Sequence, residues 1–265
     1  MYYVDYHIHS VFSNDGFIEI DEACDKAVAE GFAEIAFADH YDPYTENPDC
    51  IGEYDPKAQL AAVEAAREKY AGKLKILYAV ELGQSHRYPE NAAKIVKNDY
   101  DYVLGAVHSI ENDLDLARIK YTSSNFKAYM RTSYEHILEV AKLNLFDCLA
   151  HLDYPKRYMA LHGLRVKPSD YMELIEEILK TVIANGKGIE VNCSGLRHRV
   201  NETLPNLEIL KLYKSLGGEI ITVGSDAHRF EHALLYIKET YEVMQAAGFD
   251  YITLFDKRIP KFVKF

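Results

Sequence analysis

The sequence predicts an α/β fold with a parallel sheet, and it favours a closed barrel over an open sheet. Short apolar runs alternate with longer helix-like stretches about seven times along the 265 residues, a pattern typical of parallel strands joined by right-handed crossovers. Six of the apolar runs end on His, Asp or Glu. In a barrel the C-terminal ends of the strands converge on one face, whereas the switch point of an open sheet gathers fewer strands.

Each predicted strand is a short apolar run, and helix-like segments lie between these runs. The predicted strands are Tyr2–Tyr6, Glu34–Ala38, Lys75–Val80, Tyr102–Ala106, Phe146–Ala150, Gly188–Asn192 and Glu219–Gly224. The predicted helices are Ile20–Glu30, Pro56–Tyr70, Pro89–Lys97, Asn125–Lys142, Ser169–Asn185, Leu204–Leu216 and Glu231–Ala247. Asn185-Gly186 is typical of a helix end, and Lys167-Pro168-Ser169-Asp170 of a helix start. No linker or low-complexity run divides the chain, so we expect one domain spanning residues 1–265.

The composition indicates a globular protein that does not bind nucleic acid as its main partner. Hydrophobic residues make up 48% and charged residues 27% of the chain, a balance that supports a proper core. The net charge of −11 argues against a phosphate-backbone partner. We expect no membrane span and no signal peptide, because the sequence has no long apolar run and begins directly in a strand. The four cysteines lack CxxC spacing, so a cytoplasmic location is expected.

The first strand carries two histidines in an alternating pattern. In Val4-Asp5-Tyr6-His7-Ile8-His9-Ser10, apolar or β-branched residues alternate with Asp and His. Because side chains alternate between the two faces of a strand, His7 and His9 project from one face. Two imidazoles on one face can bind one metal ion. Taken alone, the motif is also compatible with two ordinary polar residues at a strand end.

A His, Asp or Glu also follows the apolar run at five further strand ends. They carry Asp39-His40, Glu81, His108, His151 and Asp226-Ala227-His228. Each has an alternative explanation, since a single His is often a hydrogen-bonded boundary residue and an Asp at a strand–helix junction is often an N-cap. Six strand ends that carry His, Asp or Glu together favour one shared site, although they are not independent because a single fold produces them all.

The chemistry of these residues points to metal ions rather than to a catalytic triad. No G-x-S-x-G elbow, P-loop or dinucleotide fingerprint is present. Imidazoles and carboxylates without thiolates suit Zn, Mn, Fe or Co. Six histidines and three carboxylates (Asp15, Glu81 and Asp226) are too many for one ion, so two or three divalent ions are expected. Clustered divalent ions form a cationic pocket, whose natural reaction is hydrolysis of a phosphate ester.

These motifs resemble those of the PHP (polymerase and histidinol phosphatase) metal-dependent phosphoesterases. The D-x-H-x-H opening at residues 5–9 and the later strand-end residues match in order as far as His228. The resemblance implies a distorted (β/α)7 TIM-like barrel with a trinuclear metal site at the C-terminal ends of the strands. The stretch Glu190-Val191-Asn192-Cys193-Ser194-Gly195-Leu196-Arg197 resembles stand-alone histidinol-phosphatases. The implied activity is hydrolysis of L-histidinol phosphate to L-histidinol and phosphate by a metal-activated hydroxide, in histidine biosynthesis.

The resemblance also implies a division of the ligands among three ions. One ion would be held by His7, His9, Glu81 and Asp226. Glu81 would bridge to a second ion, held also by His108 and His151. Asp15, His40 and His228 would hold a third, although some family members carry His at the position of Asp15. Asp5 and Asp39 would then orient ligating imidazoles.

Further residues are candidates for contacts with the substrate. Arg197 could clamp the phosphate through its planar guanidinium, and Lys156 and Arg157 are weaker cationic candidates. Asp226 or His228 would protonate the leaving alkoxide. An acidic loop could receive the cationic end of histidinol phosphate, and it contains Asp42, Glu46, Asp49 and Glu53.

Three rival interpretations stay open from the sequence alone. A related phosphatase or phosphodiesterase would act on a nucleotide, phosphotyrosine or another phosphoester. A metal-binding regulatory or scaffold protein would bind ions without turnover. An amidohydrolase-like barrel shares the His-x-His opening but often uses a metal-bridging Lys, and no strand-end Lys is present here. The sequence leaves the native metal and the oligomeric state open.

Overall fold

The computed structural model describes residues 1–43, 54–110 and 113–265 and contains a seven-stranded parallel sheet. Its strands in spatial order are β1 (Val4–Ile8), β2 (Glu34–Tyr41), β3 (Lys75–Gly83), β4 (Tyr102–Ala106), β7 (Cys148–Leu149), β8 (Gly188–Asn192) and β9 (Ile221–Gly224). The sheet curls so that Ile8 forms a parallel bridge with Ala227, and the His9 amide donates to the Ala227 carbonyl at 2.9 Å. The predicted α/β barrel of seven strands is confirmed.

Helices connect the strands of the barrel, and most of them lie within a few residues of the predicted bounds. They are α1 (Ile20–Glu30), α2 (Pro56–Lys69), α3 (Pro89–Ile95), α4 (Phe126–Leu143), α5 (Lys156–Leu161), α6 (Met172–Ala184), α7 (Leu207–Ser215) and α8 (Ile237–Ala246). The short α5 was not predicted, because six residues are too few to show a helical period. No helix in these described ranges has both the length and the apolar surface needed to cross a membrane.

Local capping explains where several helices begin and end. Asp55 accepts hydrogen bonds from the Lys57 and Ala58 amides at the start of α2, which satisfies backbone donors that have no partner inside the helix. Helix α1 ends at Gly31 in the left-handed conformation. The predicted helix start at Pro168 is wrong in detail, because residues 168–170 form a single 3-10 turn that precedes α6.

Two antiparallel hairpins accompany the barrel, and the sequence predicted neither. The first, β5 (Ser109–Ile110) with β6 (Leu114–Asp115), follows β4 at the C-terminal end of the barrel. The second, β10 (Tyr251–Asp256) with β11 (Ile259–Lys264), contacts the opposite end. There the Ile221 amide donates to Thr253 Oγ1, and the Phe255 amide donates to the Tyr6 hydroxyl. The C-terminal hairpin therefore covers the N-terminal ends of the strands.

Candidate metal centre

The C-terminal ends of six strands bring the nine predicted ligands together. They are His7 in β1 and His9 just after it, Asp15 in the next loop, His40 in β2, Glu81 in β3, His108 after β4, His151 after β7, and Asp226 and His228 after β9. Eight of them form four overlapping groups in which the candidate ligand atoms lie within 4.8 Å of one another. Asp15 completes the outer edge, with a side chain that is 54% exposed.

Glu81 lies at the centre of this cluster, and its two oxygens face different histidines. Glu81 Oε1 lies 2.8 Å from His151 Nε2 and 3.2 Å from His108 Nε2. Glu81 Oε2 lies 3.3 Å from His7 Nε2 and 3.5 Å from His9 Nε2. A carboxylate in this position can bridge two ions.

A second group faces the solvent side of the cluster. The Nε2 atoms of His40 and His228 lie 3.2 Å apart. Asp15 approaches both rings, with Oδ1 3.6 Å from His40 Nε2 and Oδ2 3.4 Å from His228 Nε2. The His9 ring stacks on both histidines, at centroid distances of 4.1 and 4.0 Å.

The geometry of the donor atoms fits bound metal ions. Two ligands of a tetrahedral zinc ion lie about 3.3 Å apart, given zinc–nitrogen bonds of about 2.0–2.1 Å. The Nε2 atoms of His108 and His151 are 3.4 Å apart, and those of His7 and His9 are 3.0 Å apart. In addition, His40 Nδ1 and Glu81 Oε2 are buried 3.0 Å apart, and neither makes a hydrogen bond of good geometry among the described residues. Buried polar atoms without partners are costly, and a bound cation would give Glu81 Oε2 a partner.

Neighbouring charges decide the ionisation of the buried side chains. Burial raises the pKa of the Glu81 carboxyl, but the adjacent His108, His7 and His40 outweigh burial and hold that pKa well below its usual range. For His40, burial lowers the pKa, but the Asp15 and Glu81 charges raise it to about 9. The site therefore keeps its central carboxylate ionised, which metal binding requires.

Three side chains beneath the cluster were not identified as functional from the sequence. The Glu190 carboxylate in β8 contacts the His7 ring at Nδ1. Ser13 Oγ donates to Asp39 Oδ1 and lies 3.1 Å from His9 Nδ1. Gln84 Oε1 accepts a hydrogen bond from the His108 amide at 2.6 Å. The sequence did carry a signal for Glu190, which is an acid inside an apolar strand and the first residue of the stretch that resembles histidinol-phosphatases.

Asp5 and Asp39, which were predicted to orient ligating imidazoles, accept hydrogen bonds from backbone amides and hydroxyls. Asp5 accepts hydrogen bonds from the backbone amides of His7, Ser225 and Leu234. Asp39 accepts from the hydroxyls of Ser10 and Ser13, and therefore reaches a ring only through Ser13. Both aspartates shape the loops that carry the cluster.

A cavity of about 290 Å³ opens onto the cluster. His40, His108, His151, Asp226 and His228 line it together with a wall formed by Tyr154, Arg157 and Tyr158. Asp115 in β6 and Arg118, just after β6, also line this cavity. A larger cavity of about 940 Å³ lies beside α5, but no histidine is among its described lining residues.

The two candidate arginines occupy different positions. Arg157 lines the cavity, donates from Nη1 to Asp226 Oδ2 at 2.8 Å, and stacks on the Tyr154 ring at 4.3 Å. Arg197 is not among the residues lining the cavity, and its guanidinium donates to the backbone carbonyls of Ser225 and Asp226 at 2.6 and 3.0 Å. The structure therefore places Arg157, and not Arg197, beside the cavity.

The acidic loop is only partly described. Asp42 lines the cavity, with Oδ1 3.2 Å from His108 Nδ1 and also accepting from Gln84 Nε2. Glu46, Asp49 and Glu53 lie outside the described residues. Lys156, the weaker cationic candidate, is buried and paired with Asp153 and Glu202.

The barrel and its cluster of histidines and carboxylates define a class of proteins. The PHP domain family model matches residues 5–194. The chain belongs to the PHP domain family, as the sequence motifs predicted.

The chain is also similar to individual proteins over nearly its whole length. The chain is 30% identical to a probable histidinol-phosphatase of Clostridium acetobutylicum, covering 97% of this chain and 98% of the relative. It is 27% identical to a probable histidinol-phosphatase of Thermotoga maritima, covering 97% of each. Its fold matches the crystal structure of histidinol phosphate phosphatase from Lactococcus lactis complexed with zinc, L-histidinol and phosphate. That match has a TM-score of 0.86 at 24% identity and covers 98% of both chains.

Proposed function

We propose that this chain is a metal-dependent phosphomonoesterase that hydrolyses L-histidinol phosphate to L-histidinol and phosphate. The observation that carries the proposal is the cluster of nine histidines and carboxylates, six of which line one small cavity. Two full-length relatives named as histidinol-phosphatases support the substrate. The volume of about 290 Å³ lies just below the usual range for ligand pockets, about 300–1,000 Å³, which favours a small ester.

We assign the proposed ligands to the three groups that the family resemblance implies. His7, His9 and Asp226 share the inner group with Glu81 Oε2. His108 and His151 form the second group with Glu81 Oε1. Asp15, His40 and His228 form the outer group. Two or three divalent ions (Zn, Mn or Fe) held there would activate water and neutralise charge on the phosphoryl group.

The remaining residues bind and orient the ester. Arg157 would donate to phosphoryl oxygens, because its guanidinium faces the cavity and is held in place by Asp226 and the Tyr154 ring. Asp42 would attract the cationic end of the substrate. Of the two candidates for protonating the leaving alkoxide, His228, which lines the cavity, is the proposed donor. Burial raises the pKa of the Asp226 carboxyl, but Arg157 and the nearby histidines outweigh burial and hold that pKa well below its usual range.

A steady-state assay on the purified protein tests this proposal. L-histidinol phosphate is compared with phosphotyrosine, a nucleoside monophosphate and a simple aryl phosphate, each with and without chelator. We expect the highest kcat/KM for L-histidinol phosphate, and loss of activity with chelator. A different leading ester would overturn the substrate assignment. Bound metal without turnover of any ester would indicate a binding protein instead.

A further inference from the structure

A buried carboxylate outside the proposed ligand set contacts the first histidine of the cluster. Glu190 lies in β8 with a side chain that is 1% exposed, and its Oε1 lies 2.6 Å from His7 Nδ1. Its Oε2 accepts hydrogen bonds from the His151 amide at 2.9 Å and from Asn192 Nδ2 at 3.0 Å. Oε2 of Glu190 therefore faces two N–H donors, and Oε1 faces a ring nitrogen of His7.

We infer that Glu190 is a positioning residue that fixes the tautomer and orientation of His7. The two N–H donors on Oε2 leave Oε1 to face His7, and a carboxylate oxygen accepts hydrogen bonds, so the contact assigns a proton to His7 Nδ1. That leaves Nε2, which lies 3.3 Å from Glu81 Oε2 and 3.0 Å from His9 Nε2, as the atom that presents a lone pair to a metal ion. The inference rests on the proposed metal site.

The packing around this contact holds both partners in place. A Cβ atom added to Gly224 would collide with Glu190 Oε1 and with His7 Cβ. The backbone of β9 thus lies directly against the pair. Because Glu190 also holds the His151 amide, it links the side chain of one proposed ligand to the backbone of another.

Glu190→Gln disturbs this arrangement with almost no change in volume. If the amide oxygen faces His7, the amide NH₂ points at the His151 amide and at Asn192 Nδ2, which are donors. If the amide is flipped, its NH₂ faces His7 Nδ1 and drives the ring proton to Nε2, where it blocks metal binding. Neither orientation satisfies all the groups that the carboxylate satisfies.

Metal affinity measured by competition with a chromophoric chelator tests the inference, together with elemental analysis of the purified protein. Loss of an outer partner of a metal ligand typically weakens metal binding about 10–100-fold. We expect a loss of this size for Glu190→Gln and partial recovery for Glu190→Asp. The matched control is Glu34→Gln, since Glu34 is equally buried but binds the Tyr2 and Tyr6 hydroxyls. This control should lower the thermal stability without changing metal affinity.

A double-mutant cycle separates positioning from a general packing role. In a His7→Ala background, Glu190→Gln should weaken metal binding much less than it does in the wild type. An equal loss in both backgrounds, or unchanged metal affinity with only a lower unfolding temperature, would overturn the inference. Wild-type protein that binds no Zn, Mn or Fe would instead refute the proposed function on which the inference rests.

Discussion

Arg157 is held by contacts that prepare its guanidinium for an anion. Its Nη1 donates to Asp226 Oδ2 and to Ser194 Oγ, and its Nη2 donates to the Tyr158 hydroxyl. Nε is buried without a hydrogen-bond partner among the described residues. Burial opposes a charged guanidinium, but the neighbouring Tyr158, Tyr154 and Asp226 hold the pKa of Arg157 well above its ordinary value. A permanent positive charge therefore borders the cavity.

Arg157→Ala should lower kcat/KM about 100–1,000-fold, the usual loss when one donor to a developing charge is removed. Arg157→Lys should recover part of the activity, because it restores the charge without the planar fork. Steady-state kinetics on L-histidinol phosphate measure both values. Arg157→Ala with unchanged kcat/KM would remove Arg157 from the phosphate site.

Arg197→Ala should behave differently, because its guanidinium binds two backbone carbonyls in the segment before His228. The variant should unfold at lower temperature while KM for the ester changes little in the folded protein. Calorimetry combined with kinetics below the unfolding temperature measures this. A rise in KM like that of Arg157→Ala would support the sequence-based role of Arg197.

Within the barrel, the end of β9 has no side chain where it packs against β1 and β8. Gly224, the last residue of β9, lies where a Cβ atom would meet both Glu190 and His7. Three strands therefore meet at one residue that must be glycine. The constraint is steric, since Gly224 is not among the residues with positive φ.

Gly224→Ala should destabilise the fold by about 1–3 kcal/mol, the usual cost of overpacking, and should displace His7 so that metal content falls. Gly186→Ala is the control, since Gly186 has φ of 65° but open space around the added Cβ. This control should cost stability through backbone strain alone. Urea unfolding and elemental analysis measure both effects, and full metal content in Gly224→Ala would contradict the prediction.

The C-terminal hairpin closes the end of the barrel opposite the metal centre. Arg258 in its turn donates to both oxygens of Asp147, which is 2% exposed and precedes β7. Because this contact lies far from the cavity, it contributes to stability rather than to substrate binding.

Arg258→Ala should lower the free energy of unfolding by about 1–3 kcal/mol, below the full cost of breaking a buried ion pair because Arg258 is partly exposed. Lys187, 3.3 Å from Asp147, limits the loss further. Urea unfolding measures the change. A reduced kcat at a temperature where the variant is folded would indicate coupling between the two ends of the barrel.

For the molecule as a whole, an acidic chain surrounds a pocket that we propose to be cationic when metal is bound. Removing the ions should leave the crowded histidines and carboxylates unshielded from one another. The chain should therefore lose stability as well as activity when it is stripped of metal.

Treatment with chelator should lower the unfolding temperature, and Zn, Mn or Fe should restore it. Free metal at 1,000 times its Kd should stabilise the fold by about 4 kcal/mol. Calorimetry on stripped and reloaded protein measures the difference, and elemental analysis counts two or three ions per chain. Mg²⁺ serves as a control, since it prefers oxygen ligands over imidazole. Equal stability with and without transition metal would contradict a metal-loaded native state.

The sequence alone predicted the parallel sheet and the family and favoured a closed barrel, because these depend on patterns that recur along the chain. Alternating strands and helices fixed the parallel sheet, and polar residues at the strand ends marked the His7, Glu81 and Asp226 region as the place where a site would form. These features follow from backbone geometry, because side chains alternate along a strand and the C-terminal ends of barrel strands converge on one face.

Tertiary structure alone decided which side chains reach one another across the barrel. The sequence favoured Arg197 over Arg157 as the phosphate ligand, but packing shows that Arg157 faces the cavity and that Arg197 binds backbone carbonyls. Glu190 contacts His7 from a strand 183 positions away. The role of the C-terminal hairpin is likewise visible only in the folded barrel, because the hairpin covers an end that several strands form together. Such contacts depend on the register and curvature of the closed sheet, which no local stretch of sequence encodes.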